Sequence, residues 1–139
     1  MPEILDIRPG VYVLDTHALL AYLQGEVGKE IVLALIERAA VDVTLNLSLI
    51  NFGEIAYIIE REKGTEQATQ MLADIRRLPL ILREVTEARV LAASQIKAHH
   101  AVSYADAFAI ALAQELNATL VTGNPEIWAK PELVSLLWV

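Results

Sequence analysis

The sequence predicts a single α/β domain in which helices cover both faces of a central, mostly parallel sheet. Three observations support this prediction: short apolar segments alternate with helical ones, the alternation continues to the last residues, and 139 residues suffice for one core. Strands separated by helices run parallel, because each helix returns the chain across the sheet. We therefore expect one domain over residues 1–139, with a core from about residue 10 and a short extension over 1–9.

The predicted strands are short apolar segments bounded by polar or turn-forming residues. They cover residues 11–14, 41–45, 80–82, 119–121 and 133–139. The first ends at Asp15, and the second is followed by the polar residues Asn46 and Ser48. The fourth leads into Thr-Gly-Asn-Pro, a composition typical of a turn.

The predicted helices repeat apolar residues at three- and four-residue spacing. They cover residues 16–23, 29–40, a segment that ends at Lys63, and then 65–77, 86–99 and 103–116. Gly25 and Gly64 stand where two of these helices end, as helix-terminating glycines do. Thr86 and Ser103 precede two others as expected N-caps.

Composition narrows the possible functions. Hydrophobic residues make up 55% of the chain and the mean hydropathy is +0.41, so we expect a protein partner or self-association. A net charge of −7 argues against a protein that wraps duplex nucleic acid, so any such contact must be local. The lack of cysteine excludes disulfides, thiolate zinc sites and cysteine nucleophiles.

The location of the protein is constrained only weakly. The first ten residues contain acids and proline rather than a basic and then an apolar segment, so they do not resemble a secretory signal. No apolar run reaches the roughly twenty residues that span a bilayer. We therefore expect a cytoplasmic protein without membrane contact.

Three acids are candidates for chemistry: Asp15, Glu54 and Asp106. Each also has a structural explanation, since Asp15 fits an N-cap and the pairs Asn51/Glu54 and Ser103/Asp106 fit capping boxes. Together, however, they stand at strand ends or helix starts that a parallel sheet brings to one edge. A divalent cation would relieve the repulsion among them, and an oxygen-rich set without thiolates favours magnesium or manganese.

Four segments then resemble, in order, the motifs of the PIN family, with particular likeness to the VapC toxins of toxin–antitoxin pairs. They are DTHALL at 15–20, NFGEIA at 51–56, SYADAF at 103–108 and LVTGNPE at 120–126. The resemblance implies a ribonuclease that hydrolyses RNA phosphodiester bonds with Mg²⁺ or Mn²⁺ held by Asp15, Glu54 and Asp106. It also implies a homodimer that binds a cognate antitoxin.

The last of these motifs departs from the family pattern. A further aspartate usually follows its Thr-Gly pair, whereas this chain has Asn124, which keeps a carbonyl oxygen but loses the charge. Asn124 is therefore a candidate for a weakened metal ligand. We expect Thr122 to order the turn, Ser103 to cap the helix that carries Asp106, and Glu126 either to reach the pocket or to remain in solvent.

Histidines and basic residues are weaker candidates. His17 could touch a phosphate, but its place near a helix start favours a surface position, and His99 and His100 fit a helix end. The basic residues on the helical hairpin are expected mostly on solvated faces, some of them beside an RNA path: Arg61, Lys63, Arg76 and Arg77.

Two other classes compete with the ribonuclease. Asn124 and the acidic surface would also suit a PIN-fold protein that binds RNA or protein without cleavage. A phosphoacceptor receiver would need a second acid beside Asp15 and a late lysine, and neither is present where expected. A dinucleotide-binding enzyme would need a glycine fingerprint after the first strand, which is missing.

Overall fold

The computed structural model describes residues 7–139, and in them a five-stranded sheet is surrounded by helices. The strands are β1 (Gly10–Leu14), β2 (Val43–Ser48), β3 (Leu80–Arg83), β4 (Thr119–Thr122) and β5 (Ser135–Trp138). The helices are α1 (Thr16–Leu23), α2 (Lys29–Arg38), α3 (Leu49–Lys63), α4 (Thr65–Arg77), α5 (Glu87–His99), α6 (Tyr104–Glu115) and α7 (Pro125–Trp128).

Strand order places a crevice at the carboxyl ends of β1 and β4. The order is β3-β2-β1-β4-β5 and every pairing is parallel, which confirms the predicted α/β fold. The chain first builds outward from β1 through β2 to β3 and then returns to place β4 on the other side of β1. Such a reversal separates the loops that follow β1 and β4 and leaves the crevice in which ligands bind in open parallel sheets.

Two apolar cores cover the two faces of the sheet, and strand alternation divides the residues between them. One core lies against α1 to α4 and contains Leu14 and Leu47 from the sheet with Ile55 from α3. The other lies against α5 and α6 and contains Val13 and Leu120. Since side chains of β1 enter both cores, this central strand and the residue that follows it are held from both sides.

The second strand differs from its prediction. It begins two residues later than expected and continues through Asn46 to Ser48. Asn46 is fully buried, yet both ends of its amide are paired: Nδ2 donates to the Tyr12 carbonyl at 3.1 Å, and Oδ1 accepts from Arg83 Nε at 2.9 Å. Because its hydrogen bonds are satisfied, a polar residue is tolerated in a central strand where the sequence pattern indicated its end.

The remaining elements agree with their predictions to within a few residues at each boundary. The Thr-Gly-Asn-Pro turn leads directly into the short helix α7, which was not predicted.

Of the predicted extension over 1–9, residues 1–6 lie outside the described part of the chain. Ile7 is buried, and its carbonyl accepts from Arg38 Nη1 at 2.6 Å, so the packed core reaches back at least to this residue. Within residues 7–139, no helix is long and apolar enough to cross a membrane.

Gly53 offers a test of helix α3. This glycine is exposed inside the helix, and an added Cβ would meet no atom within 4 Å. We expect Gly53→Ala to raise the free energy of unfolding by about 1 kcal/mol, because alanine loses less backbone entropy in a helix. Equilibrium urea unfolding measures the change.

Gly28→Ala is the matched control and has the opposite expected sign. Gly28 adopts φ +99°, and its Cβ would lie 2.8 Å from the carbonyl carbon of Val139. The substitution should lower the free energy of unfolding by about 1–3 kcal/mol. A Gly53→Ala protein less stable than wild type would contradict our description of α3.

Candidate functional site

Asp15 lies at the carboxyl end of β1 and starts helix α1. It is 1% exposed, and its Oδ1 accepts a hydrogen bond from the Ala18 N–H at 2.7 Å, which confirms the predicted N-cap. Its own N–H donates to the Val121 carbonyl of β4 at 3.2 Å. The other carboxyl oxygen, Oδ2, is buried and has no hydrogen-bond partner among residues 7–139. One oxygen thus serves the helix, and the other is left for a ligand.

The pKa of Asp15 reflects both its burial and the charges of the other acids. Burial raises the pKa of Asp15 from 3.8 to about 7, because the charged carboxylate loses its hydration. The Thr122 hydroxyl, which lies near the carboxyl group but outside hydrogen-bonding geometry, and the Ala18 N–H lower this pKa. The negative charges of Asp106 and Glu54 raise it further. The charges of Asp106 and Glu54 therefore act on Asp15 across the crevice.

Asp106 stands in the first turn of α6 and is half-buried. Its N–H donates to Oγ of Ser103 at 3.1 Å, so Ser103 is the N-cap that the sequence predicts. The carboxylate accepts at Oδ2 from Asn124 Nδ2 at 2.9 Å. Burial raises the pKa of Asp106 and the charge of Glu126 adds to this, whereas hydrogen bonds from Ser103 and Asn124 lower it.

Glu54 reaches the crevice from the second turn of α3 and is half-buried. The capping box predicted for Asn51 and Glu54 is wrong. Helix α3 begins at Leu49 with Ser48 as N-cap, whose Oγ accepts from the Ile50 N–H at 3.2 Å. Because a different residue caps the helix, Glu54 has no structural role at its start, and its carboxylate remains available for chemistry.

The turn after β4 brings Asn124 to Asp106. Thr122 is fully buried, and its Oγ1 accepts from the Asn124 N–H at 3.0 Å, as expected for a residue that orders the turn. Oδ1 of Asn124 accepts from the Glu126 N–H at 2.9 Å and thereby caps α7. Both ends of the Asn124 amide therefore have hydrogen-bond partners, and its Nδ2 rather than its Oδ1 faces Asp106. Glu126 itself is exposed.

The imidazole of His17 borders the same turn. His17 is exposed, and its ring packs so closely on Gly123 that a Cβ there would lie 2.4 Å from the ring. A side chain at position 123 would therefore displace the exposed His17 ring. His17 is therefore a surface residue, as one of the two interpretations held, but at the rim of the acidic crevice.

Two of the four basic residues on the α3–α4 hairpin lie over aromatic rings. The guanidinium of Arg61 lies 5.2 Å from the Tyr57 ring centroid, and that of Arg76 lies 5.1 Å from the Phe52 centroid. Both distances are in the range of cation–π contacts. Tyr57 is 50% exposed, one turn beyond Glu54 on the same helix. A basic and aromatic surface thus begins beside the acids.

Asn51 is a further site residue, which the sequence analysis gave no role in the site although it opens the NFGEIA motif. It is fully buried, and its Nδ2 donates to Thr16 Oγ1 at 3.1 Å and to the Ala105 carbonyl at 3.3 Å. Its Oδ1 is the second buried oxygen without a partner in the described part of the chain. The available signal was its spacing, since Asn51 precedes Glu54 by one helical turn.

The donor set suits a hard divalent cation. Its atoms are carboxylate and amide oxygens, the ligands that magnesium and manganese prefer, and one of them is the unpartnered Oδ2 of Asp15. Over residues 7–139, however, no three histidine, aspartate or glutamate side chains are arranged to hold one ion as they stand. Binding therefore requires rearrangement of side chains, including Asp106, whose Oδ2 is engaged by Asn124.

Solved structures with this fold are numerous and distant in sequence. A chain of VapBC2 from Rickettsia felis, solved with a promoter DNA fragment, is 21% identical to this chain, with a TM-score of 0.73. The match spans 94% of this chain and 99% of the VapBC2 chain. VapBC-1 from nontypeable Haemophilus influenzae is 19% identical with a TM-score of 0.67, covering 92% and 97%. VapC20 of Mycobacterium tuberculosis, a toxin that cleaves the sarcin–ricin loop, is 19% identical with a TM-score of 0.64, covering 86% and 94%.

At these identities the likeness establishes the fold. No curated protein sequence matches the chain significantly. The family model of the PIN domain matches residues 12–132, from the first strand to the loop before the last. This match covers most of the chain and includes all four motifs identified in the sequence. The chain belongs to the PIN domain family.

Proposed function

We propose that this protein is a metal-dependent endoribonuclease and the toxin of a toxin–antitoxin pair, active in the cytoplasm. One observation carries the proposal: Asp15 is buried at the carboxyl end of β1 and has a carboxyl oxygen without a hydrogen-bond partner in residues 7–139. The carboxylates of Glu54 and Asp106, far away in sequence, lie near enough to act on it. No covalent enzyme intermediate is needed for phosphodiester hydrolysis at such a site. Membership of the PIN family and the likeness to VapC20 support RNA as the substrate.

Asp15, Glu54 and Asp106 are the residues that would hold Mg²⁺ or Mn²⁺. A bound ion of this kind lowers the pKa of a water molecule and shields the charge that develops on the phosphate. Asp15 is prepared for the role, since the Ala18 N–H fixes one of its oxygens while the other is unpartnered. Asn124 holds Asp106 through Oδ2, and this hydrogen bond would have to rearrange for that oxygen to bind an ion.

The surface supports partners as well as a substrate. Large apolar side chains are exposed at several places, among them Val27, Val41, Tyr57, Leu91, Tyr104 and Trp128. A homodimer and a cognate antitoxin segment would remove such surface from water. Several solved structures of similar fold are toxin–antitoxin complexes, which favours an antitoxin as the second partner.

A second candidate is a PIN-fold protein that binds RNA or protein without cleaving. Two features of the site favour this function. The Asn124 amide already donates a hydrogen bond to Asp106 Oδ2, and no three acids within residues 7–139 are placed to share an ion. The two functions make different predictions about added metal.

Removal of any one of the three carboxylates should abolish cleavage. We expect Asp15→Asn, Glu54→Gln and Asp106→Asn each to lower the rate of Mn²⁺-dependent RNA cleavage by more than about a hundredfold, beyond the loss typical of residues that only support a metal ligand. Gel assays on structured and unstructured RNAs, with Mn²⁺ or EDTA, measure the rates.

Asp74→Asn is the matched control, because Asp74 is an acid on α4 that pairs with Gln70 and Arg77 away from the crevice. Its rate should equal that of wild type. Full activity of Asp106→Asn would remove that residue from the site. RNA binding by a wild-type protein that shows no cleavage with Mn²⁺ would favour the second candidate function.

The raised pKa of Asp15 predicts the pH dependence of stability in EDTA. An aspartate in the unfolded chain titrates near its ordinary value of 3.8, whereas burial raises the folded-state pKa to about 7. Between these values the folded state retains a proton that the unfolded state has lost, so the free energy of unfolding falls as the pH rises from about 4 to about 7. Thermal unfolding from pH 4 to pH 8 measures this.

Asp15→Asn should flatten this profile and be more stable than wild type at pH 8, since asparagine can still cap α1. Asp74→Asn should keep the wild-type profile. Parallel profiles for wild type and Asp15→Asn would mean that Asp15 is not the titrating group.

Asn124→Asp tests the departure from the family pattern. The substitution retains the oxygen that caps α7 but replaces the donor to Asp106 with a carboxylate oxygen. Repulsion between the two acids should destabilise the metal-free protein, tighten Mn²⁺ binding and speed cleavage at low Mn²⁺, with little change at saturation. Superimposable Mn²⁺ titrations of cleavage rate for both proteins would show that position 124 only shapes the turn.

A further inference from the structure

Two side-chain oxygens are buried without a hydrogen-bond partner among residues 7–139: Asp15 Oδ2 and Asn51 Oδ1. Both are acceptors. Burial of an unpaired acceptor is unfavourable, and native proteins keep such groups where a ligand, ion or ordered water completes them. Whatever completes each of these oxygens must therefore supply a hydrogen-bond donor or positive charge.

The orientation of the Asn51 amide is determined by its neighbours. The Ala105 carbonyl can only accept a hydrogen bond, so the nitrogen of the amide must face it, at 3.3 Å. The same nitrogen donates to Thr16 Oγ1 at 3.1 Å. Oδ1 must then point to the remaining side, where no donor of the described chain meets it. The unpaired oxygen is thus a consequence of the packing and not of the choice of amide rotamer.

Asn51 also connects the segments that carry all three acids. Thr16 directly follows Asp15, Ala105 directly precedes Asp106, and Glu54 is one turn from Asn51 on the same helix. One fully buried side chain therefore holds the start of α1 and the start of α6 against α3. A change at this position would alter the separation of the acids even though Asn51 carries no charge.

We propose that Asn51 is a positioning residue of the metal site, and that its Oδ1 accepts a hydrogen bond from the water shell of a divalent cation bound at Asp15. The inference rests on the proposed function, because it assumes that a cation binds there. It adds a neutral residue to the three acids and gives each buried unpaired oxygen a partner.

Asn46 provides a matched control for a purely structural role. It is buried to the same extent as Asn51, and its Nδ2 likewise donates to a backbone carbonyl, that of Tyr12, at 3.1 Å. Its Oδ1, however, is already paired with Arg83 Nε at 2.9 Å. Loss of Asn46 therefore removes buried hydrogen bonds without touching an unpaired oxygen or a residue adjacent to one of the acids.

The experiment is thermal unfolding of the full chain during titration with Mn²⁺ after treatment with EDTA. We expect both Asn51→Ala and Asn46→Ala to lower the melting temperature in EDTA. Asn51→Ala should also raise the Mn²⁺ concentration for the half-maximal thermal shift by about ten- to a hundredfold, the usual effect of removing a group that supports a metal ligand. Asn46→Ala should leave that concentration unchanged.

An Asn51→Ala protein with the wild-type Mn²⁺ midpoint would overturn the inference, as would equal midpoint shifts in both variants. If Asn51→Ala does not fold, Asn51→Ser takes its place, since its shorter side chain keeps a polar group but cannot occupy the positions of both Nδ2 and Oδ1. A wild-type protein without any Mn²⁺-induced shift would count against the metal site itself. The failure of the proposed function is thereby distinguished from the failure of the inference alone.

Discussion

Burial of the Asp15 carboxylate is the constraint on which the site depends. Strand β1 lies between β2 and β4 and sends side chains into both apolar cores, so the residue at its carboxyl end is withdrawn from water. An ionised carboxylate in such surroundings is costly unless donors or charge compensate it. The Ala18 N–H and the N-terminus of α1 compensate part of the cost, and the remainder appears as a pKa raised to about 7.

The other acids increase this cost rather than relieve it. The charges of Asp106 and Glu54 raise the pKa of Asp15, and none of the salt bridges found in residues 7–139 includes any of the three. The side chains that lower the pKa of Asp106 through hydrogen bonds, those of Ser103 and Asn124, are both neutral. A crevice with this charge distribution favours a cation, and its stability without one depends on protonation and on the amide.

Two buried asparagines join separate elements of the fold. Asn46 joins β1, β2 and β3 through the Tyr12 carbonyl and Arg83, and Asn51 joins α1, α3 and α6 through Thr16 and Ala105. Each is fully buried, and its Nδ2 donates to a backbone carbonyl of another element. Such contacts favour a single packing of the elements over alternatives of similar apolar burial. The elements that carry the acids are therefore held by polar contacts as well as by the two cores.

The sequence by itself determined the alternation of strands and helices, the parallel sheet and the N-caps Asp15 and Ser103, because these depend on local periodicity and on hydrogen bonds within a few residues. The motif order also indicated the family to which the chain belongs. Only the tertiary structure decided that Asn46 continues a strand and that Ser48 caps α3. Whether a buried amide is satisfied depends on partners more than thirty residues away, which no local pattern shows.

The same limit applies to the site. The sequence indicated Asp15, Glu54 and Asp106 as acids at one edge of a sheet, and the structure brings them close enough to alter the pKa of Asp15. The sequence could not indicate that the Asn124 amide donates to Asp106, or that Asn51 contacts the neighbours of two acids. Both contacts arise only when separate elements pack together. Local sequence determines which groups are available, and packing decides which of them meet and which oxygens remain unpaired.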